Sequence, residues 1–118
     1  MAGLESQNFK NPDETRTFDK GQLDVITLGT ATVGRAIFQP GWKWSECVKP
    51  IAGTDSCEAA HLGYVVSGHM HVVMDDGTAA DADKGDLINI APGHDAWVVG
   101  DEPCVMLDFE GASNYAKR

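Results

Sequence analysis

The sequence predicts an all-β protein whose short antiparallel strands close into a small barrel or sandwich, and three observations carry that prediction. Thirteen Gly and five Pro divide the 118 residues into short apolar stretches. No window shows an i, i+3, i+4, i+7 stripe of helical length. The breaks are built from turn residues: Gln39-Pro40-Gly41, Val66-Ser67-Gly68, Asp75-Asp76-Gly77, Ala91-Pro92-Gly93 and Gly100-Asp101-Glu102-Pro103. With 42% apolar residues, the chain can build one core but not two independent ones.

The elements follow in order. Residues 1–20 are polar and unpatterned around Asn11-Pro12-Asp13-Glu14-Thr15, which predicts an arm lying on the domain or on a partner subunit. Strands are expected at Leu23–Leu28, Thr32–Gln39, Trp42–Val48, Ala59–Val66, Met70–Met74, Asp86–Ile90, Ala96–Val99 and Cys104–Phe109. Asp76-Gly77 reads as a tight hairpin turn, Lys49–Ser56 as a loop, and Ala112–Arg118 as one short helical turn. No helical crossover separates the strands, so antiparallel pairing is expected. The organisation read from this is an arm (1–20), a barrel (21–112) and a tail (113–118).

Eighteen acidic against nine basic residues give a net charge of −9, which repels phosphate backbones and anionic lipid surfaces. Nucleic acid and membrane are therefore not expected partners. No apolar run approaches the roughly 20 residues of a membrane span, and Met1-Ala2-Gly3-Leu4-Glu5-Ser6 lacks the basic and apolar regions of a signal peptide, so a cytosolic protein is expected. Cys47, Cys57 and Cys104 form an odd set without a C-x-x-C pair, which predicts buried thiols and neither a disulfide framework nor a zinc knuckle. Neither a G-x-S-x-G elbow nor a glycine-rich phosphate loop occurs, so no nucleotide cofactor is expected.

The runs Tyr64-Val65-Val66-Ser67-Gly68, Met74-Asp75-Asp76-Gly77 and Gly85-Asp86-Leu87-Ile88-Asn89-Ile90-Ala91-Pro92-Gly93 resemble the core of a cupin, specifically the small single-domain cupins. The resemblance covers about residues 32–110. Its sharpest pieces are Pro40-Gly41-Trp42-Lys43-Trp44 and the segment from Gly93-His94-Asp95-Ala96-Trp97 to Pro103. It implies a double-stranded β-helix, a jelly-roll-like barrel of two antiparallel sheets. It also implies a homodimer and a small-molecule pocket at the barrel mouth that frequently holds a divalent metal such as Zn, Fe, Ni or Mn.

The metal motifs of that family are altered here. In the second, G-x5-P-x-G-x2-H-x3-N, Gly85 and Gly93 match, whereas Ala91, Ala96 and Gly100 replace the other positions. The nearest imidazole is His94, two residues before Ala96 and on the same side of a strand. The first motif, G-x5-H-x-H-x3,4-E-x6-G, fits literally at Gly63, His69, His71 and Asp75 or Asp76. Those histidines, however, follow the Tyr-Val-Val-Ser-Gly strand end instead of preceding it. Anchoring on that strand end puts His61 at the acid position, with either Asp55 and Cys57 or Ser45 and Cys47 near the histidine positions.

In the anchored register Cys57, Ala59, His61, Gly63 and Val65 share the inward face. His61, His94 and Cys57 then make a three-ligand metal site with an open position, which suits zinc or iron. A nucleophilic Cys57–His61 pair is not expected, because i, i+4 on a strand separates residues by ~13 Å. Trp42 and Trp44 are i, i+2 and line one strand face; Trp44 is a candidate wall of the ligand pocket, as is His71 of the strand Met70–Met74, either face of which could be the interior. Trp97 alternates against His94 and Ala96 and is expected to face outward. Asp95 closes a turn or orients His94. Asp75, Asp76, Asp81 and Asp83 read as solvated turns. The expected function is small-molecule binding with metal-dependent chemistry of dioxygenase, isomerase or lyase type; the rival is a regulatory binding protein without chemistry.

Overall fold

The computed structural model describes residues 3–113 and 115–117. Among these, β1 (Glu14–Phe18), β2 (Gly21–Leu28), β3 (Ala31–Phe38), β4 (His61–Ser67), β7 (Leu87–Ile90) and β9 (Cys104–Asp108) form a six-stranded sheet in the order β1-β2-β3-β9-β4-β7. A second sheet has the order β6-β5-β8, from β5 (His69–Met74), β6 (Ala79–Asp83) and β8 (His94–Val98). All pairings are antiparallel. The expected all-β architecture is the observed one.

Side-chain alternation places the core between the sheets. Leu23, Ala36, Val65 and Met106 of the larger sheet meet Met70, Val72, Ala96 and Val98 of the smaller one. The chain passes from one sheet to the other at Gly68, whose φ of 85° suits glycine and where a Cβ would strike the backbone of Pro103 and Cys104. The arm lies over the outer face of the larger sheet: the Arg35 guanidinium donates to the Phe9 carbonyl, and the Thr27 amide donates to Asp13.

Several expectations change. Trp42–Val48 is not a strand, and 49–56 is not simply a loop: α1 (Trp44–Cys47) and α2 (Lys49–Ala52) occupy this stretch. Pro50 sits in the first turn of α2 and Gly53 ends it in the left-handed region, each where its backbone preference helps. Residues 14–18 of the expected arm are β1, whose inward positions are Arg16 and Phe18. Residues 79–83 are β6, not turns alone. The expected helical turn at the C-terminus is a short 3-10 turn at Gly111–Ser113; Asn114 and Arg118 lie outside the described residues. None of the helices among the described residues is long and apolar enough to cross a membrane.

Candidate metal centre

Three backbone features assemble the site. β4 begins at His61, and pairing with β7 places His61 opposite Ile90. β8 begins at His94, and its alternation sends His94, Ala96 and Val98 inward. Cys57 lies ahead of β4 and forms an isolated antiparallel bridge with His94, its N–H donating to the His94 carbonyl over 2.7 Å. This bridge brings the thiol to the two rings. One ligand atom each from Cys57, His61 and His94 lies within 4.8 Å of the others, the spread a single cation can span.

The Cys57–His61 pair corrects the expectation from strand geometry. Residues 58–60 belong to no strand, yet Cys57 and His61 keep one antiparallel register against His94 and Ile90, and the two side chains reach toward each other so that Cys57 Sγ stands 3.7 Å from His61 Nε2. On the other side of the ring, His61 Nδ1 donates to Asp108 Oδ2 over 2.6 Å. Asp108 ends the inward face of β9, and its Oδ1 accepts the backbone N–H groups of Glu110 and Gly111 at 3.0 and 2.9 Å. His94 Nδ1 donates to the Ala91 carbonyl over 2.8 Å. A carbonyl only accepts, so His94 carries its proton on Nδ1 and keeps Nε2 for a ligand. Both imidazoles are thus oriented through Nδ1, as metal-binding histidines are.

The charges follow from these contacts. Burial works to raise the Cys57 thiol, but its hydrogen bond to His61 and the neighbouring His94 ring outweigh it and bring the pKa down to about 6. Burial works to lower His61, but its bonds to Asp108 and Cys57 raise it to about 9. Both shifts favour a thiolate beside an imidazolium. Burial likewise opposes ionisation of Asp108, yet His61 and the two backbone N–H groups hold its carboxyl below the ordinary range. Cys104 has no such partners, and burial pushes it up to about 12. The arrangement offers a thiolate and two imidazoles to a soft or borderline cation, or a thiol with an imidazole and carboxylate behind it.

The site opens onto a cavity of about 50 Å³ whose walls include Phe38, Trp42, Trp44, Met70, His61 and His94. A surface groove of about 490 Å³ lies on the other side of Trp44 and Tyr115 and reaches Cys57. Trp44 therefore borders both spaces, as a buried helical residue and not as a strand residue. The Tyr115 ring stands edge-on to His61 with centroids 5.4 Å apart. Arg16 Nη1 pins this C-terminal segment by donating to the carbonyls of Ala112 and Tyr115 at 2.7 and 2.8 Å.

His71 is not in the cavity. It lies on the outer face of β5, 2.6 Å from Asp81 and packed on Trp97, because Met70 and Val72 take the inward positions. Trp97 faces outward as expected. Asp95 does not orient His94; its Oδ1 accepts the amides of Ser45 and Ala96 and ties α1 to β8. Sequence reasoning missed Asp108 and Tyr115. For Asp108 a signal was present: in Cys104-Val105-Met106-Leu107-Asp108 the acid continues the inward alternation of Cys104 and Met106.

No protein-family model matches the chain, and no curated protein matches it in sequence. Solved structures do. An oxalate decarboxylase of Bacillus subtilis superposes with a TM-score of 0.63 at 18% identity over 96% of this chain and 32% of its own. The coconut allergen cocosin gives 0.61 at 17% identity over 91% and 32%, respectively. A protein of unknown function from Rhizobium leguminosarum gives 0.62 at 12% identity over 92% of this chain and 98% of its own. The chain thus spans about a third of the first two and nearly all of the third. The two antiparallel sheets, the site between them and these superpositions give the chain a cupin-type β-barrel fold.

Proposed function

We propose that this chain binds a divalent metal through Cys57, His61 and His94 and uses it to bind and transform a small molecule in the adjoining cavity. The observation that carries the proposal is the double orientation of the histidines: Asp108 and the Ala91 carbonyl occupy both Nδ1 atoms, leaving the Nε2 atoms for a ligand beside the Cys57 thiol. One thiolate with two imidazoles favours zinc or iron over the harder manganese. Three protein ligands leave a coordination position open, as in catalytic sites.

When bound, such an ion would supply Lewis-acid polarisation of a substrate oxygen, which serves isomerase and lyase chemistry, whereas dioxygenase chemistry would require the redox-active iron. The chain's own residues do the rest. Asp108 holds the His61 ring in register, the Cys57–His94 bridge fixes the spacing of the ligands, and Trp42, Trp44 and Phe38 supply the aromatic wall of the cavity. A second reading, a ligand-binding protein without chemistry, draws support from Ala96, which lines the cavity where the family motif has a histidine. Loading with cobalt(II) tests the ligand set on which the first reading depends. The proposal expects thiolate-to-cobalt charge-transfer absorption that disappears in Cys57→Ser; cobalt binding without that absorption contradicts the ligand set.

The expected partner is a second copy of the chain. Tyr64 and Leu87 face each other across β4 and β7 at the edge of the larger sheet, and with Val66 they are exposed apolar residues.

A further inference from the structure

The H-x-H pair of the sequence, His69 and His71, takes no part in the enclosed centre. Met70, Val72 and Ala82 occupy the inward positions of β5 and β6, so His69, His71, Asp81 and Asp83 all stand on the outer face of the smaller sheet. The antiparallel register sets His69 opposite Asp83 and His71 opposite Asp81. Asp81 serves both rings. Its Oδ1 accepts from His71 Nδ1 over 2.6 Å and lies 3.7 Å from His69 Nε2. On the other side of the His69 ring, Asp83 Oδ1 lies 3.5 Å from Nδ1. Trp97 of β8 backs the His71 ring, with centroids 4.8 Å apart.

We infer that His69, His71 and Asp81 form a second metal site, open to solvent, that takes a divalent transition-metal ion of the zinc class. Two imidazole nitrogens with one carboxylate oxygen suit such ions and leave further positions to water. Ligand atoms about 2.0–2.2 Å from one cation stand roughly 3–3.5 Å apart. The 2.6 and 3.7 Å separations from Asp81 Oδ1 therefore change by less than about 1 Å each when a dication replaces the proton that His71 and Asp81 share. The rings have room for that adjustment, since the His69 and His71 side chains are 34% and 29% exposed. Asp83 stands behind the His69 ring as a carboxylate stands behind a metal-bound imidazole. Asp81 and Asp83 bring two carboxylates to one patch of an acidic chain, which favours a cation over an anion. This site shares no residue with Cys57, His61 and His94, and its exposure makes it the weaker of the two, releasing its ion on dialysis.

The test is a zinc titration of the full-length protein, followed through the nitrogen-15 NMR signals of the histidine side chains, in which coordination shifts the ring nitrogen that binds. His69→Gln and His71→Gln assign the outer pair, and His61 and His94 report the enclosed centre separately in the same spectra. The expected result is a saturable response of His69 and His71, complete at one zinc per chain beyond any taken up by His61 and His94. Its affinity should fall at least about tenfold in Asp81→Asn and stay unchanged in Cys57→Ser. If Cys57→Ser does not fold, the separate His61 and His94 signals of the unaltered chain still tell the two sites apart. His69 and His71 signals that do not move, that shift without saturating as an adventitious ion would make them, that saturate at one zinc per two chains, or that keep full affinity in Asp81→Asn overturn the inference, whether or not His61 and His94 respond. Zinc on His69 and His71 with none on His61 and His94 upholds it and overturns the enclosed centre instead.

Discussion

At the scale of single residues, the site depends on which atom of each ring is already engaged. Asp108→Asn keeps the shape of the side chain but weakens its hold on His61 Nδ1, and changes to groups that orient a metal ligand typically cost 10–100-fold in affinity. A chelator competition with zinc is expected to show a loss in that range without loss of the folded state. Gly111 is constrained in a different way: a Cβ there would lie 2.5 Å from His61 Nδ1 and 2.6 Å from the Ala60 carbonyl. Gly111→Ala is therefore expected to destabilise by about 1–3 kcal/mol, read from the urea midpoint, with zinc affinity reduced as the imidazole shifts. His61 and His94 were legible in the sequence as pocket residues because strand alternation locates them. The Cys57 contact was not, since it depends on how two side chains reach toward each other along a stretch outside any strand, which no periodicity encodes.

At the scale of elements, strands with an apolar inward face were legible and those without one were not. β2, β3, β4, β5, β7, β8 and β9 all carry such a face, and turn residues bound them. β1 turns Arg16 and Phe18 inward, so a charged residue breaks the alternation, and β6 buries only Ala82. The helices α1 and α2 are four residues each, too short for a 3.6-residue stripe, and the Trp42–Trp44 spacing imitates a strand. Arg16 has a definite task despite its odd placement. Besides its ion pair with Glu14, it donates to three carbonyls of the C-terminal segment that carries Tyr115. Arg16→Met removes these bonds from a buried position and is expected to cost about 2–4 kcal/mol. Hydrogen exchange in residues 111–113 and 115–117 should rise well before exchange in β3 or β9, whereas uniform exchange across the barrel would contradict this local role.

At the scale of the whole molecule, two properties follow. The first is the pH dependence of the metal-free protein. His61, raised to about 9, contributes stability that is full below its ordinary 6.5 and is lost as pH rises through about 9. Cys57, lowered from 9.0 to about 6, contributes stability that is full above 9 and is lost as pH falls through about 6. Between pH 6.5 and 9 one contribution falls as the other grows, so the thermal midpoint is expected to stay flat. In Cys57→Ser it should decline as pH rises across that window, because Asp108 still holds the imidazolium and nothing compensates. The second property is assembly: Leu87→Lys places a charge in the exposed apolar edge, and light scattering is expected to show a wild-type dimer converted to monomer.

The most direct measurement is elemental analysis of the full-length protein purified without added metal. Near one equivalent of a transition metal per chain, retained through dialysis and reduced at least tenfold in each of Cys57→Ser, His61→Ala and His94→Ala, is the predicted result. A folded wild-type protein that carries no metal, and that takes up neither zinc nor iron on addition, would contradict the account.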